Sequence, residues 1–300
     1  MKQRSVHFYS GPGLKLAGTF CFPDGRRPGG RPWPAVVLCH GPGGYRITHA
    51  DTLMPAISKW LAGAGYASLY FSYRGVRDSE GPAYRIIPLE QVEDIQNAIT
   101  FTRQQPEVDP GRIGLFGAAT GGAHVSYVAA IDDRVKCIVG VNAMGDVGRW
   151  LWSMRRYWEW VAFQEVLRQD NVSRVLTGRS RLVEFKEIIV RDPETSRFMA
   201  ERLAAGDSAQ LLSLEGGEAL VRYQPEAFVS RISPRAAMWI CAEDDTLVPI
   251  EEAQSLYEKA GEPKKLLVVK GAVHHALYQS LHFDLVMTGA TAWFDQHLMG

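Results

Sequence analysis

No charge of either sign is in excess: lysine plus arginine and aspartate plus glutamate stand at 33 each in 300 residues. No long-range field therefore draws the chain to nucleic acid or to an anionic membrane surface, and small molecules are the expected partners. Long apolar runs are absent as well. Nothing is uninterrupted enough to span a bilayer, and Met1-Lys2-Gln3-Arg4-Ser5-Val6 lacks the apolar centre of a signal peptide. The expectation is a cytoplasmic protein without membrane association. Cysteine is scarce. Cys21, Cys39, Cys137 and Cys241 share no metal-ligand spacing and the last three sit in apolar runs, which reads as reduced core thiols. No histidine pair shares a metal-like spacing with a carboxylate, so neither a metal nor another cofactor is expected.

What is present is a series of short, apolar, β-rich runs bounded by glycine and proline: 35–39, 67–71, 113–116, 137–141, 237–241 and 266–269. Continuous runs of this kind suit strands buried on both faces. Helical periodicity lies between them, as in Leu53, Ile57, Trp60 and Leu61, or Leu89, Val92, Ile95 and Ile99. The alternation predicts an α/β fold with a mostly parallel central sheet and helices on both faces. Val6–Tyr9 and Leu16–Phe20 read as a hairpin before it. From about Val147 to Tyr223 the alternation stops and the pattern is helical, with dense arginine and aromatic residues. This predicts an inserted helical cap at 147–223 on a core made of 1–146 and 224–300.

The stretch Ile113-Gly114-Leu115-Phe116-Gly117-Ala118-Ala119-Thr120-Gly121-Gly122 is a strand, a tight turn and small residues opening a helix. By itself it suits a glycine-rich strand-to-helix turn, a phosphate loop or a nucleophile elbow. In the elbow, glycines two before and two after the nucleophile let strand and helix pack closely, and Gly117 and Gly121 fill those places. Leu38-Cys39-His40-Gly41-Pro42-Gly43-Gly44-Tyr45 closes an earlier strand, and Phe71-Ser72-Tyr73-Arg74-Gly75 precedes Asp78-Ser79-Glu80-Gly81. With these segments the core resembles the α/β-hydrolase superfamily, in an esterase- or dienelactone-hydrolase-like branch with an inserted cap.

The resemblance implies a catalytic triad in the order nucleophile, acid, base. Position 119 is the nucleophile's, but alanine stands there. Asp245, in Cys241-Ala242-Glu243-Asp244-Asp245-Thr246-Leu247, matches the acid, with Asp146 as fallback because some relatives carry the acid there. His274 matches the base on the loop after the last strand, with its neighbour His275 as alternative, while His40 and His124 are read as architectural. The resemblance also implies two backbone N–H donors for an oxyanion. One comes from Thr120. The other belongs to the residue after His40-Gly41, which is Pro42 and has no N–H. Gly43 or the Tyr45 hydroxyl would replace it, unless the hole is incomplete.

Alanine has no oxygen with which to attack, so the chain as written is expected to be nearly inert in acyl transfer. Two explanations compete: an engineered Ser→Ala form, or natural loss. An elbow residue holds a strained backbone that glycine would relieve once catalysis was lost. Retention of a Cβ beside an intact acid and base favours the first. The leading reading is a serine hydrolase of ester, lactone or related acyl bonds. Its alternatives are a natural non-hydrolytic enzyme using the Asp245–His274 pair as general base for lyase or cyclase chemistry, and a ligand receptor. Trp150, Trp152, Tyr157 and Trp158 are candidate cleft residues for a bulky, largely apolar substrate. The competing reading is that these rings pack cap helices together or form a homodimer surface. Arg155 and Arg156 could meet a substrate carboxylate, or be solvated.

Overall fold

The structure is a computed structural model and describes residues 1–11, 13–25, 28–41, 53–204 and 211–299. Its centre is an eight-stranded sheet. In chain order the strands are β1 (Lys2–Ser10), β2 (Leu14–Phe22), β3 (Trp33–Cys39), β4 (Ala67–Phe71), β5 (Val108–Ala118), β6 (Val135–Val141), and, after a long excursion, β9 (Ala236–Ala242) and β10 (Lys264–Val269). Their spatial order is β1-β2-β4-β3-β5-β6-β9-β10. β1 pairs antiparallel with β2, with Val6 opposite Gly18, and β2 antiparallel with β4; every later pairing is parallel.

Alternating residues of β3 show why both faces had to be apolar. Val36 and Leu38 point into one core with Ile57 and Leu61 of α1 (Met54–Gly63) and Phe294 of α10 (Ser280–Leu298). Val37 and Cys39 point into the other, with Ile95 of α2 (Pro88–Arg103), Val125 of α3 (Thr120–Ile131) and Leu256 of α9 (Ile250–Lys259). The period of two sends neighbours to opposite faces, and helices cover each.

Between β6 and β9 lie α4 (Val147–Ser153), α5 (Tyr157–Thr177), α6 (Phe185–Ile188), α7 (Pro193–Ala204) and α8 (Leu214–Val221), together with a two-stranded antiparallel ladder of β7 (Leu182–Glu184) and β8 (Leu211–Ser213). The ladder corrects the purely helical expectation for this segment; three residues are too few to show a period. Trp150, Leu151, Phe163 and Leu167 join the core on the α2–α3 face of the sheet, so the insertion packs continuously with it. Among the described residues no helix is long and apolar enough to cross a membrane.

Because β5, β6, β9 and β10 run parallel, their carboxyl ends share one edge. Residues 119, 142, 245 and 274 all follow that edge in sequence, the place where open α/β sheets gather ligands and chemistry.

Candidate active site

β5 ends at Ala118 and α3 begins at Thr120, leaving Ala119 to turn the chain at φ 52°, ψ −120°. Its N–H donates to the Val141 carbonyl at 2.9 Å, which fixes the turn to the neighbouring strand. A Cβ on Gly117 would stand 2.1 Å from the Gly121 carbonyl oxygen, and one on Gly121 would stand 2.1 Å from that of Cys39. Both glycines are therefore required by backbone contact. Thr120 heads α3, so its N–H belongs to the first turn, whose donors lack intrahelical acceptors. Positive φ on a residue with a Cβ costs about 1–3 kcal/mol, and glycine's extra entropy cost is about 0.5–1 kcal/mol. Ala119→Gly is accordingly expected to stabilise the fold by about 1 kcal/mol, read as a shift in the urea midpoint at constant slope; a destabilised variant would mean the turn is unstrained.

Asp245 and His274 meet at 2.7 Å between Oδ2 and Nδ1. A carboxylate only accepts, so Nδ1–H is the donor, which leaves Nε2 as the nitrogen a general base would use. The other Asp245 oxygen accepts from the N–H groups of Leu247 at 2.9 Å and Val248 at 2.7 Å, locking the carboxylate in its loop. Two neighbours absent from the sequence reading complete this corner. Asn142, at φ 47° just beyond β6, donates from Nδ2 to the His274 carbonyl at 3.2 Å. Tyr278 ends the 3₁₀ turn begun by His274, and its buried hydroxyl meets the Asn142 side chain and the backbone of Ala119. The base-bearing turn is thus joined to the elbow.

The remaining candidates are placed elsewhere. His275 turns from Asp245 toward α7, where its Nε2 lies 3.1 Å from Thr195 Oγ1 and its ring stacks on Phe198 at 4.4 Å. Asp146 caps α4, accepting from Arg149 N at 2.9 Å. His40 directs Nδ1 to the Gly41 carbonyl at 2.8 Å, and His124 lies between Gln91 and Tyr223. Burial holds all three of these histidines neutral: His40 and His275 are pushed down to about 4 and His124 to about 3. Since the folded values lie below the unfolded 6.5, the stability they contribute is complete above pH 6.5 and is lost as pH falls toward 4. Urea midpoints measured across that interval are expected to fall, and His275→Gln to flatten the slope.

Among the cleft candidates, Trp150 is buried and donates from Nε1 to the Leu247 carbonyl at 2.7 Å, so it braces the acid loop from behind. Trp152, Tyr157 and Trp158 are exposed and do not form an enclosed cleft wall. The expectation overlooked which helix faces the sheet already covers. Arg155 spends its guanidinium on the carbonyls of Leu151, Glu187 and Ile188 and lies over the Phe163 ring at 4.1 Å, and Arg156 lies over Trp158 at 5.3 Å. Neither is poised for a substrate carboxylate. Gly41 is buried at the end of β3; Pro42, Gly43 and Tyr45 lie outside the described residues. No group of three or more histidine, cysteine, aspartate or glutamate side chains among the described residues could hold a metal.

A further carboxyl group comes from α7. Asp192 caps that helix, accepting from Thr195 N at 2.7 Å, and also receives the Thr246 hydroxyl from the acid loop. With Thr195 on His275, the first turn of α7 is tied to the neighbours of both Asp245 and His274. Glu194 lies inside that turn; its Oε2 is buried and meets no hydrogen-bond partner among the described residues. Burial, then the charges of Asp192 and Asp245, raise its pKa, while His274 lowers it. Locally the run Asp192-Pro193-Glu194-Thr195 reads only as a helix start, so nothing but the fold brings Glu194 to the dyad.

The model of the X-Pro dipeptidyl-peptidase (S15 family) matches residues 12–276. An uncharacterized 31.7 kDa protein of the traX-finO intergenic region of Escherichia coli is 29% identical over 94% of this chain and 96% of its own length. The thiohydrolase aneE of Aspergillus aculeatus is 23% identical, over 98% of this chain and 93% of its own. Among solved structures, the α/β hydrolase GrgF from Penicillium sp. superimposes with a TM-score of 0.83 at 22% identity, covering 100% of both chains.

Proposed function

The chain belongs to the X-Pro dipeptidyl-peptidase (S15) family and has the α/β-hydrolase fold, and from that premise we propose that its site is built for attack on an acyl carbon, ester, lactone or thioester, of a bulky small molecule, in a form whose nucleophile oxygen is missing at Ala119. The observation that carries this reading is the 2.7 Å Asp245–His274 pair beside an elbow residue that keeps its Cβ at φ 52°. The relative named a thiohydrolase adds the thioester to the bonds considered. Residues 147–223 would cover the bound acyl group as a cap.

A serine at 119 would complete the triad. His274 Nε2 takes the hydroxyl proton as the serine oxygen bonds to the acyl carbon, and Asp245 stabilises the resulting imidazolium. The oxyanion accepts a hydrogen bond from the Thr120 N–H. The same proton then passes to the departing alcohol or thiol as the acyl–enzyme forms. Water, deprotonated by His274, releases the acid and returns the proton to the serine. Alanine stops this sequence before its first bond.

A second reading is favoured by one observation, the unpartnered buried Oε2 of Glu194 near the dyad. A carboxyl whose pKa is raised by burial, close enough to His274 to feel its charge, would supply with it an acid–base pair that moves protons without a nucleophile, as a lyase or cyclase requires. The discriminating experiment treats the Ala119 chain and its Ala119→Ser variant with a fluorophosphonate. Labelling of the variant alone, removed by His274→Ala, supports the acyl reading. An unlabelled variant overturns it.

A further inference from the structure

Asn142 is anchored to the sheet. It follows β6 directly, and its own N–H donates to the Ile240 carbonyl at 2.8 Å, so the pairing of β6 with β9 continues through it. There the chain turns at φ 47°, a conformation that asparagine tolerates better than most residues with a Cβ. The residue is 1% exposed, so both ends of its side-chain amide must find partners inside the protein.

The chemistry of those partners fixes which end goes where. The Ala242 N–H only donates, and it lies 3.4 Å from Oδ1; the His274 carbonyl only accepts, and it lies 3.2 Å from Nδ2. A flipped amide would set donor against donor and acceptor against acceptor. Nδ2 also stands 3.4 Å from His274 Nδ1. It is a donor there too and cannot accept the Nδ1–H, which leaves Asp245 at 2.7 Å as the acceptor. The hydroxyl of Tyr278 meets the same amide and the backbone of Ala119, and its ring stands edge-on to the His274 imidazole at 5.9 Å.

His274, by contrast, opens a 3₁₀ turn beyond β10, and no strand pairing fixes its place. A side chain that projects from such a turn is positioned by whatever holds the turn. We propose that Asn142 is a positioning residue for His274: its amide sets the base-bearing turn against the ends of β6 and β9 and, by presenting a donor to Nδ1, commits the Nδ1–H to Asp245. The inference rests on the reading of Asp245 and His274 as the working pair. It applies to acyl transfer with a serine at 119 and to proton transfer without one. Misplacing a reacting group by about 1 Å can cost on the order of 10² in rate, so an amide that touches no substrate still has a large effect.

Proton NMR of the full chain, with alanine at 119, gives the first readout. A short, charge-assisted hydrogen bond moves the His274 Nδ1 proton far downfield and slows its exchange, and loss of a contact elsewhere leaves it in place. Asn142→Gly accepts the positive φ and removes only the amide. Asn142→Asp keeps the shape, offers the His274 carbonyl no donor and sets a second acceptor beside Nδ1. Each is expected to shift the resonance or broaden it by exchange, and Tyr278→Phe to do so less. Tyr66→Phe, which deletes a hydrogen bond to Asp295 of α10, is the control and is expected to leave it unmoved. In the Ala119→Ser background the two Asn142 variants are expected to lower kcat on the order of 10–100-fold while KM changes by less than about twofold; circular dichroism verifies folding. A resonance unmoved in both Asn142 variants overturns the proposal, and so does an active serine-bearing chain whose kcat ignores them. A resonance that responds in a protein whose Ala119→Ser form shows no turnover upholds the proposal and removes the acyl reading alone.

Discussion

Ala119→Ser is expected to raise acyl hydrolysis by a factor on the order of 10⁶, measured as turnover of chromogenic ester and thioester substrates. Removing the serine from a complete triad costs about that much, and what remains comes from binding and oxyanion contacts alone. The parts that make the oxygen reactive are in place: Nδ1 of His274 is committed to Asp245 at 2.7 Å, and the elbow backbone is already turned. The size of the gain also counts oxyanion donors. One donor is worth about 10²–10³ in turnover. A gain near 10⁶ therefore requires a second donor beside the Thr120 N–H, whereas a gain of only about 10³–10⁴ means that Thr120 works alone. Turnover equal to that of the alanine chain, with folding intact, would refute the acyl reading. His274→Ala in the serine background should return the rate to the starting level.

Gly121→Ala is expected to destabilise the fold by more than about 4 kcal/mol, or to leave the chain insoluble. The added Cβ would lie 2.1 Å from the Cys39 carbonyl oxygen and 2.7 Å from that of His40. Both are backbone atoms at the end of β3, so no rotamer change makes room; β3 must part from the elbow, and overpacking of that kind lies in the extreme tail of point substitutions. Gly63→Ala supplies the control. Nothing lies within 4 Å of its Cβ and it sits in the last turn of α1, so the helix gains up to about 1 kcal/mol. Urea titrations of the two variants should move in opposite directions, and a soluble Gly121→Ala chain of parental stability would show that strand and helix can separate at no cost.

What made the sheet and the dyad legible is that each of their signals is local. A strand buried on both faces must be apolar throughout, and the residues just past it must turn, so the segments ending at Ala118, Ala242 and Val269 announce both an element and the turn after it, where Ala119, Asp245 and His274 lie. Asn142 and Glu194 carry no such mark. Asn142 acts through a carbonyl 132 positions away, and Glu194 sits in a stretch whose local chemistry is that of any helix start. The aromatic run from Trp150 to Phe163 misled for a related reason. Ring density says nothing about facing, and α4 and α5 divide the rings between the acid loop, the core and water. β7 and β8 were too short to leave a period.

The first turn of α7 holds Thr246 through Asp192 and His275 through Thr195, and each of those partners is the immediate chain neighbour of a dyad member. Any shift of this helix must break hydrogen bonds one residue from the Asp245–His274 pair. Any displacement of α7 would therefore reach Asp245 and His274 through their chain neighbours, so the placement of the pair depends on how this helix is seated.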